Sequence, residues 1–244
     1  MRLNRYLASA GLGSRRSCEK LIREGRVSIN GHFVDSLAAV VGEGDDVRVV
    51  GRRIQPPVTS TVVALYKPKG FLCTRSDERS RRTIYDLLPR TMTRLAYVGR
   101  LDKESEGLLL LTDDGGLSQK ISHPSAKMEK VYEVELDGPL DEESTGKLLR
   151  GFPIIGGRAR MESLKRLGGN RVRVVLTQGI KRQIRLMFYR VGLEVTKLTR
   201  TRIGPIPLSP LKPGEWRPLN AAEIAQLRGE PRSRPKAARK PRPL

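Results

Sequence analysis

Along the first 50 residues the spacing of apolar positions changes from a helical period to a strand period. Leu3, Leu7 and Ala10 share one helical face, Gly11 and Gly13 interrupt it, and Ser14 can cap a second helix carrying Cys18, Leu21 and Ile22. Gly25 ends that helix. Two short apolar runs, Arg26 to Ile29 and His32 to Val34, then flank Asn30-Gly31, the pair that supplies positive φ angles to a two-residue hairpin turn. Val47 to Val50 reads as a closing strand. A polar, proline-containing stretch follows, so the pattern predicts a first domain over 1–51 and a linker over 52–61.

From 62 to 228 strands and helices alternate without the regular period of a βαβ repeat. Val62 to Tyr66 and Leu108 to Thr112 are continuous apolar runs bounded by turn residues, the mark of buried strands. Lys130 to Leu136 and Arg171 to Leu176 alternate with period two, as strands with one covered face do. Helices are expected at Leu117 to Ile121, Asp141 to Leu149, Lys181 to Tyr189 and Ala221 to Leu227, the last opened by Asn220 and Glu223 at capping-box spacing. The class is α+β with mainly antiparallel pairing. Beyond 228, prolines and cations without apolar periodicity predict a disordered basic tail over 229–244.

Charge narrows the partner. The 47 Lys and Arg exceed the 26 Asp and Glu to give a formal net charge of +21, an excess that favours a phosphate-rich partner over a protein one. In the first domain Arg2, Arg5, Arg15, Arg16, Lys20, Arg23 and Arg26 lie in or beside the two helices. Glu19 and Glu24 are the only acids among the first 34 residues, so helical pairing cannot neutralise this set. These seven residues are expected to bind an RNA backbone. Cys18 and Cys73 have neither ligand nor disulfide spacing, and no apolar run has the length of a membrane span. A cytoplasmic protein that touches no membrane is expected.

The common catalytic motifs are missing from the sequence: there is no P-loop, nucleophile elbow or HExxH helix. Of the two histidines, His123 precedes Pro124 and reads as a turn residue. Chemistry falls to the acids, and one loop stands out. In Gly99-Arg100-Leu101-Asp102-Lys103-Glu104-Ser105-Glu106-Gly107 a carboxylate sits between basic residues ahead of a very apolar strand. Asp102 is the candidate nucleophile or base. Asp102, Glu104, Glu106, Asp113 and Asp114 could also be read as oxygen ligands for Mg²⁺. Interleaved cations and the turn composition Asp113-Asp114-Gly115-Gly116 favour a loop instead, and no metal or organic cofactor is expected.

Two sets of motifs carry a family resemblance. Leu3 to Ala8, Gly13 to Arg16 and Ile22 to Gly31 resemble the alpha-L RNA-binding motif shared by a ribosomal small-subunit protein and several RNA-modifying enzymes. That resemblance implies helices lying on structured RNA and reading shape and phosphates. Gly99 to Gly115, Lys130-Val131-Tyr132 and Gly179 to Arg185, in that order, resemble the signatures of pseudouridine synthases of the RsuA/RluB-like branch that modifies ribosomal RNA.

Carried onto this chain, the second resemblance implies that Asp102 is the catalytic aspartate, that Tyr132 packs on the target base and that Arg185 is the cation paired with Asp102. It further implies that Ile184 adds apolar contact and that Arg100 helps hold the displaced nucleotide or neighbouring RNA. Asp113 stands where the branch commonly has Asn, and Leu186 where a second basic residue is frequent, departures that bear on RNA contacts more than on chemistry. The expected activity is isomerisation of a uridine in ribosomal RNA, tilted toward the large subunit. The substrate is expected to be ribosomal RNA or a subunit assembly intermediate, acted on by a monomer. The alternative from another class, a noncatalytic RNA-binding assembly factor, explains the charge and the first domain but not the three motifs.

Overall fold

A computed structural model describes residues 1–56 and 60–230. Most of the expected basic tail, from Pro231 onward, lies outside the described residues. At the N-terminus α1 (Leu3–Ser9) and α2 (Arg15–Arg23) pack on a small antiparallel sheet of β1 (Val27–Ile29), β2 (His32–Phe33), β3 (Val47–Val49) and β4 (Arg52–Arg53), in the order β2-β1-β3-β4. Leu3, Leu7, Cys18, Ile22, Val27 and Val47 form its buried centre, the residues that the two periodicities bring to one side. Ser14 caps α2 by accepting from the Ser17 amide, and Asn30 (φ 52°) and Gly31 (φ 84°) make the hairpin turn.

The first domain runs past its expected end. Arg52 and Arg53, assigned above to the linker, pair with β3 as β4, and the Ile54 amide donates to Val47 O at 2.8 Å. The physical reason is a second tight turn: Val50 (φ 50°) and Gly51 (φ 75°) both adopt positive φ and fold the chain back on itself. A valine in that region carries no sequence signal of a turn.

The larger region is built on one mixed sheet. Its elements are β5 (Val62–Lys67), β6 (Ala96–Val98), β7 (Glu106–Thr112), α3 (Gly115–Ser122), β8 (Lys130–Leu136), α4 (Glu142–Arg150), a separate hairpin of β9 (Phe152–Ile154) and β10 (Gly157–Ala159), β11 (Ser163–Gly168), β12 (Arg171–Leu176), α5 (Gln183–Arg190), β13 (Val195–Ile203), β14 (Ile206–Pro207), β15 (Trp216–Pro218) and α6 (Ala221–Leu227). Among the described residues the sheet order is β11-β12-β8-β13-β7-β5-β15, with β6 on β7 and β14 on β13. Pairing is antiparallel except between β13 and β7. The α+β, mainly antiparallel architecture expected from the pattern is the one found.

Period-two alternation explains how the sheet is covered. In β7, Leu108 and Leu110 face a cluster with Leu117 and Ile121 of α3 and Leu227 of α6, whereas Leu109 and Leu111 face another with Ile84, Tyr85 and Leu95. In β8 and β12, Tyr132, Val134, Leu136, Val172, Val174 and Leu176 share a third cluster with Ile184, Met187 and Phe188 of α5. Burying both faces of β7 is what its unbroken leucine run required. Asp114 caps α3 by accepting from the amides of Gly116 and Leu117, and its ion pair with Arg228 at 3.0 Å ties down the end of α6. Burial works to raise the Asp114 carboxyl, but the Leu117 amide, Arg228 and the Gly116 amide prevail and hold it below its usual value. Among the described residues no helix is long and apolar enough to cross a membrane.

The parallel join of β7 to β13 depends on Gly107. Its φ of 108° favours glycine, and a Cβ there would collide with the backbone of Arg200, lying 2.6 Å from its nitrogen. Gly107→Ala is therefore expected to lower the free energy of unfolding by about 1–3 kcal/mol, the range for an overpacked and strained site. A urea titration that leaves the midpoint unchanged would contradict this close approach.

Candidate active site

Asp102 stands in a turn closed by the Ser105 amide donating to Asp102 O at 3.1 Å, just before β7 begins. The turn is held by a residue that the sequence did not single out. Lys67, the last residue of β5, is fully buried, and its Nζ donates to Ser105 O at 2.6 Å, Pro68 O at 3.0 Å and Lys103 O at 3.5 Å. Burial pushes its ammonium below the usual lysine value, opposed by Cys73, Asp102, Glu104 and Glu106. Gly70 adds a backbone bond to Lys103 O at 2.8 Å. The apolar strand β5 thus ends in a cation that three carbonyl oxygens of the loop region satisfy.

The turn opens on a cavity of about 640 Å³ whose lining brings together Asp102, Arg100, Tyr132, Ile184 and Arg185. These residues come from three separated stretches of the chain. Tyr132 is contributed by β8 and Ile184 by the first turn of α5; both are buried and belong to the same core cluster as Leu101. Arg100 is exposed at the rim. Cys73 lines the cavity and packs against two core clusters, with its Sγ accepting from the Leu101 amide at 3.5 Å; burial raises its thiol above the ordinary value. The carboxylates of the lining are Asp77 and Asp102, outnumbered by Lys and Arg side chains. An anionic ligand would be attracted there.

Two expectations change here. α5 starts at Gln183 and not at Lys181, because Arg182 takes a left-handed conformation (φ 56°) ahead of the helix. Arg185 also does not form the expected direct ion pair with Asp102. Its Nη1 donates to Val195 O at 2.7 Å and its Nη2 to Glu104 O at 3.2 Å, so the guanidinium clamps the backbone of the Asp102 turn instead of its carboxylate. Burial lowers the Arg185 pKa, as does Arg182, while the charges of Asp102 and Glu104 raise it. Its Nε is buried without a hydrogen-bond partner among the described residues.

The other acids of the loop region do not converge on Asp102. Glu104 pairs with Lys69 at 3.4 Å, Glu106 with Lys197 at 3.4 Å, Asp113 with Arg94 at 3.0 Å, and Asp114 with Arg228. Each neutralises a neighbouring cation, which accounts for their number. Residues that sequence reasoning passed over include Lys67, Cys73, Arg200 and Gln183. Gln183 is buried and donates from Nε2 to Arg160 O and Gln178 Oε1, fixing the loop before α5. The signal available for Lys67 was its place at the end of a wholly apolar strand.

On the N-terminal domain Arg2, Arg5, Arg15, Arg16, Lys20, Arg23 and Arg26 are all exposed. Glu24 pairs with Lys20 at 3.7 Å and Arg26 at 3.1 Å, while Glu19 accepts from Asn4. Most of the basic set is left to face solvent.

Comparison with known proteins gives concordant matches. Residues 61–189 match the family model described as RNA pseudouridylate synthase, and residues 1–47 match the S4 domain. The chain is 40% identical over 242 residues to the ribosomal large subunit pseudouridine synthase B of Vibrio cholerae serotype O1 (strain ATCC 39315 / El Tor Inaba N16961), covering 93% of this chain and 74% of that protein. It is 36% identical over 235 residues to an uncharacterized RNA pseudouridine synthase of Aquifex aeolicus (strain VF5), covering 93% of this chain and 96% of that one. A crystal structure of a pseudouridylate synthase superimposes with a TM-score of 0.69 at 31% identity, covering 93% of this chain and 99% of the other.

The Lys67 contacts lead to a direct test. Lys67→Met keeps roughly the length of the side chain but takes the buried ammonium away from Ser105 O, at an expected cost of about 1–3 kcal/mol in unfolding free energy. Proteolysis should reach the 100–105 loop faster in that variant. Unaltered stability and unaltered cleavage would show that the ammonium does not hold the turn.

Proposed function

The chain belongs to the RNA pseudouridylate synthase family and carries an S4 domain, and from that premise we propose that it isomerises a uridine of ribosomal RNA, in the large subunit, to pseudouridine. The observation that carries the reading is the meeting of Asp102, Tyr132, Ile184 and Arg185 in one cation-lined cavity. Asp102 is the catalytic aspartate on this reading, acting on the sugar or the base as the N1–C1′ bond breaks. Tyr132 and Ile184 pack on the base, Arg185 holds the turn that carries Asp102, and Arg100 at the rim holds the displaced nucleotide or the RNA beside it.

The reacting atoms of a uridine are inaccessible inside a helix, so the nucleotide must leave the stack, at a cost on the order of a few kcal/mol. Stacking on Tyr132 returns roughly 1–3 kcal/mol. Phosphate contacts supply the rest, and the exposed basic helices of the S4 domain are suited to them. The enzyme acts as a monomer in the cytoplasm, on ribosomal RNA or on an assembly intermediate. The reaction is an isomerisation without net oxidation, and the reading assigns it no metal or organic cofactor.

Asp102→Asn is expected to abolish pseudouridine formation, read by nucleoside analysis of a digested transcript, while RNA affinity stays nearly intact. Turnover retained in that variant would defeat the assignment of Asp102. Replacing Arg15, Arg16 and Arg23 together by Gln is expected to weaken RNA binding and reduce the slope of log affinity against log salt by about 2–3, one contact per lost charge. An unaltered slope would remove these three from the RNA interface.

A further inference from the structure

The cavity contains a buried cation that the roles above do not use. Arg200 of β13 lines it, is 2% exposed, and spends its Nε on Leu108 O at 2.7 Å. Its Nη2 is buried with no hydrogen-bond partner among the described residues. Arg200 stands directly across from Tyr132 in the register of β13 with β8, so the two side chains emerge side by side from the same face of the sheet. Lys130, two residues before Tyr132, lines the cavity too. Burial lowers its pKa, and the charge of Arg200 lowers it further. Neither Arg200 nor Lys130 has a carboxylate within 4.0 Å among the described residues. A guanidinium offers donors only, so Nη2 is able to donate to an acceptor that a ligand brings into the cavity.

The reaction supplies one, and this step rests on the proposed function. On both routes open to Asp102, bonding to C1′ or taking the C2′ proton, the electron pair of the N1–C1′ bond leaves with N1. The freed uracil is then an anion with its charge shared over N1, O2 and O4. When C5 bonds to C1′, Asp102 is released or gives back its proton to C2′, and the C5 proton is lost as N1 gains one, so atoms and charge balance. Arg200 neighbours Tyr132 across the register and lines the same cavity, so a base stacked on that ring would bring its edge toward Arg200. We propose that Arg200 is a catalytic residue of this reaction, donating from Nη2 to a carbonyl oxygen of the detached uracil and stabilising its negative charge.

The test compares Arg200→Gln with the unaltered chain in single-turnover assays on a uridine transcript and on the same transcript containing 5-fluorouridine, whose electronegative fluorine makes the base a better anion. Consumption of the starting nucleoside reports cleavage of the N1–C1′ bond in both. The variant is expected to lose roughly 100-fold or more with uridine, the usual effect of removing one preorganised donor. The deficit should be distinctly smaller with 5-fluorouridine, and RNA affinity should be little changed. An equal deficit on both substrates, no deficit, or a loss that appears in affinity, as a phosphate contact would give, overturns the proposal. Should the glutamine variant fail to fold, Arg200→Lys, which keeps the cation but not the fork, is read by the same ratio and the same criterion. Failure of the unaltered chain to convert any uridine would instead strike the proposed function itself.

Discussion

The buried ammonium of Lys67 and the guanidinium of Arg185 hold the Asp102 turn from two sides, both through backbone carbonyl oxygens. Binding carbonyls instead of the carboxylate fixes the loop that carries Asp102 and leaves its carboxylate without a hydrogen-bond or ion-pair partner among the described residues. Lys67 is fully buried and Arg185 half-buried, so the Lys67 ammonium in particular is screened less than a surface charge and its donors have few competitors. The close approach of Gly107 to Arg200 completes the arrangement by seating the start of β7 against β13. A carboxylate supported in this way faces a cavity rich in positive charge, which is the setting an RNA nucleotide requires.

The fold serves this arrangement by placing three stretches of chain around one sheet. β7 follows the Asp102 turn, β8 carries Tyr132, and β13 lies between them, so the register of β13 sets the spacing across the cavity floor. α5 covers the β8 and β12 side and contributes Ile184 and Arg185 from its first turn. Apolar clusters on both faces of β7 give the sheet its rigidity, since interiors packed at crystal-like density resist small displacements. A separate S4 domain carries a basic surface. The proposed function assigns affinity and chemistry to different parts of the chain, phosphate contacts to one and the base to the other.

Much of this was legible in the sequence, and the gaps have physical causes. β8, β12 and α6 were readable because their apolar periods match their elements, and Asn30-Gly31 because its turn demands positive φ. β13 was not. Its sequence Val-Thr-Lys-Leu-Thr-Arg-Thr-Arg-Ile lacks an apolar period, and its burial comes from pairing with β7 and β8, a tertiary effect that overrides local preference. Arg200 was hidden for the same reason. Arg100, Asp102, Tyr132, Ile184 and Arg185, singled out by motifs, all line one cavity, but the partner of Arg185 was not foreseen, because a cation and an acid that share a site need not touch when backbone oxygens lie nearer.

Conversion of a particular uridine of large-subunit ribosomal RNA by this cavity is checked by mapping pseudouridines in ribosomal RNA from cells lacking the protein and from cells in which the intact chain has been restored. One or a few pseudouridines in the large-subunit RNA are expected to revert to uridine and to return on restoration. An identical map in both strains would contradict that conversion.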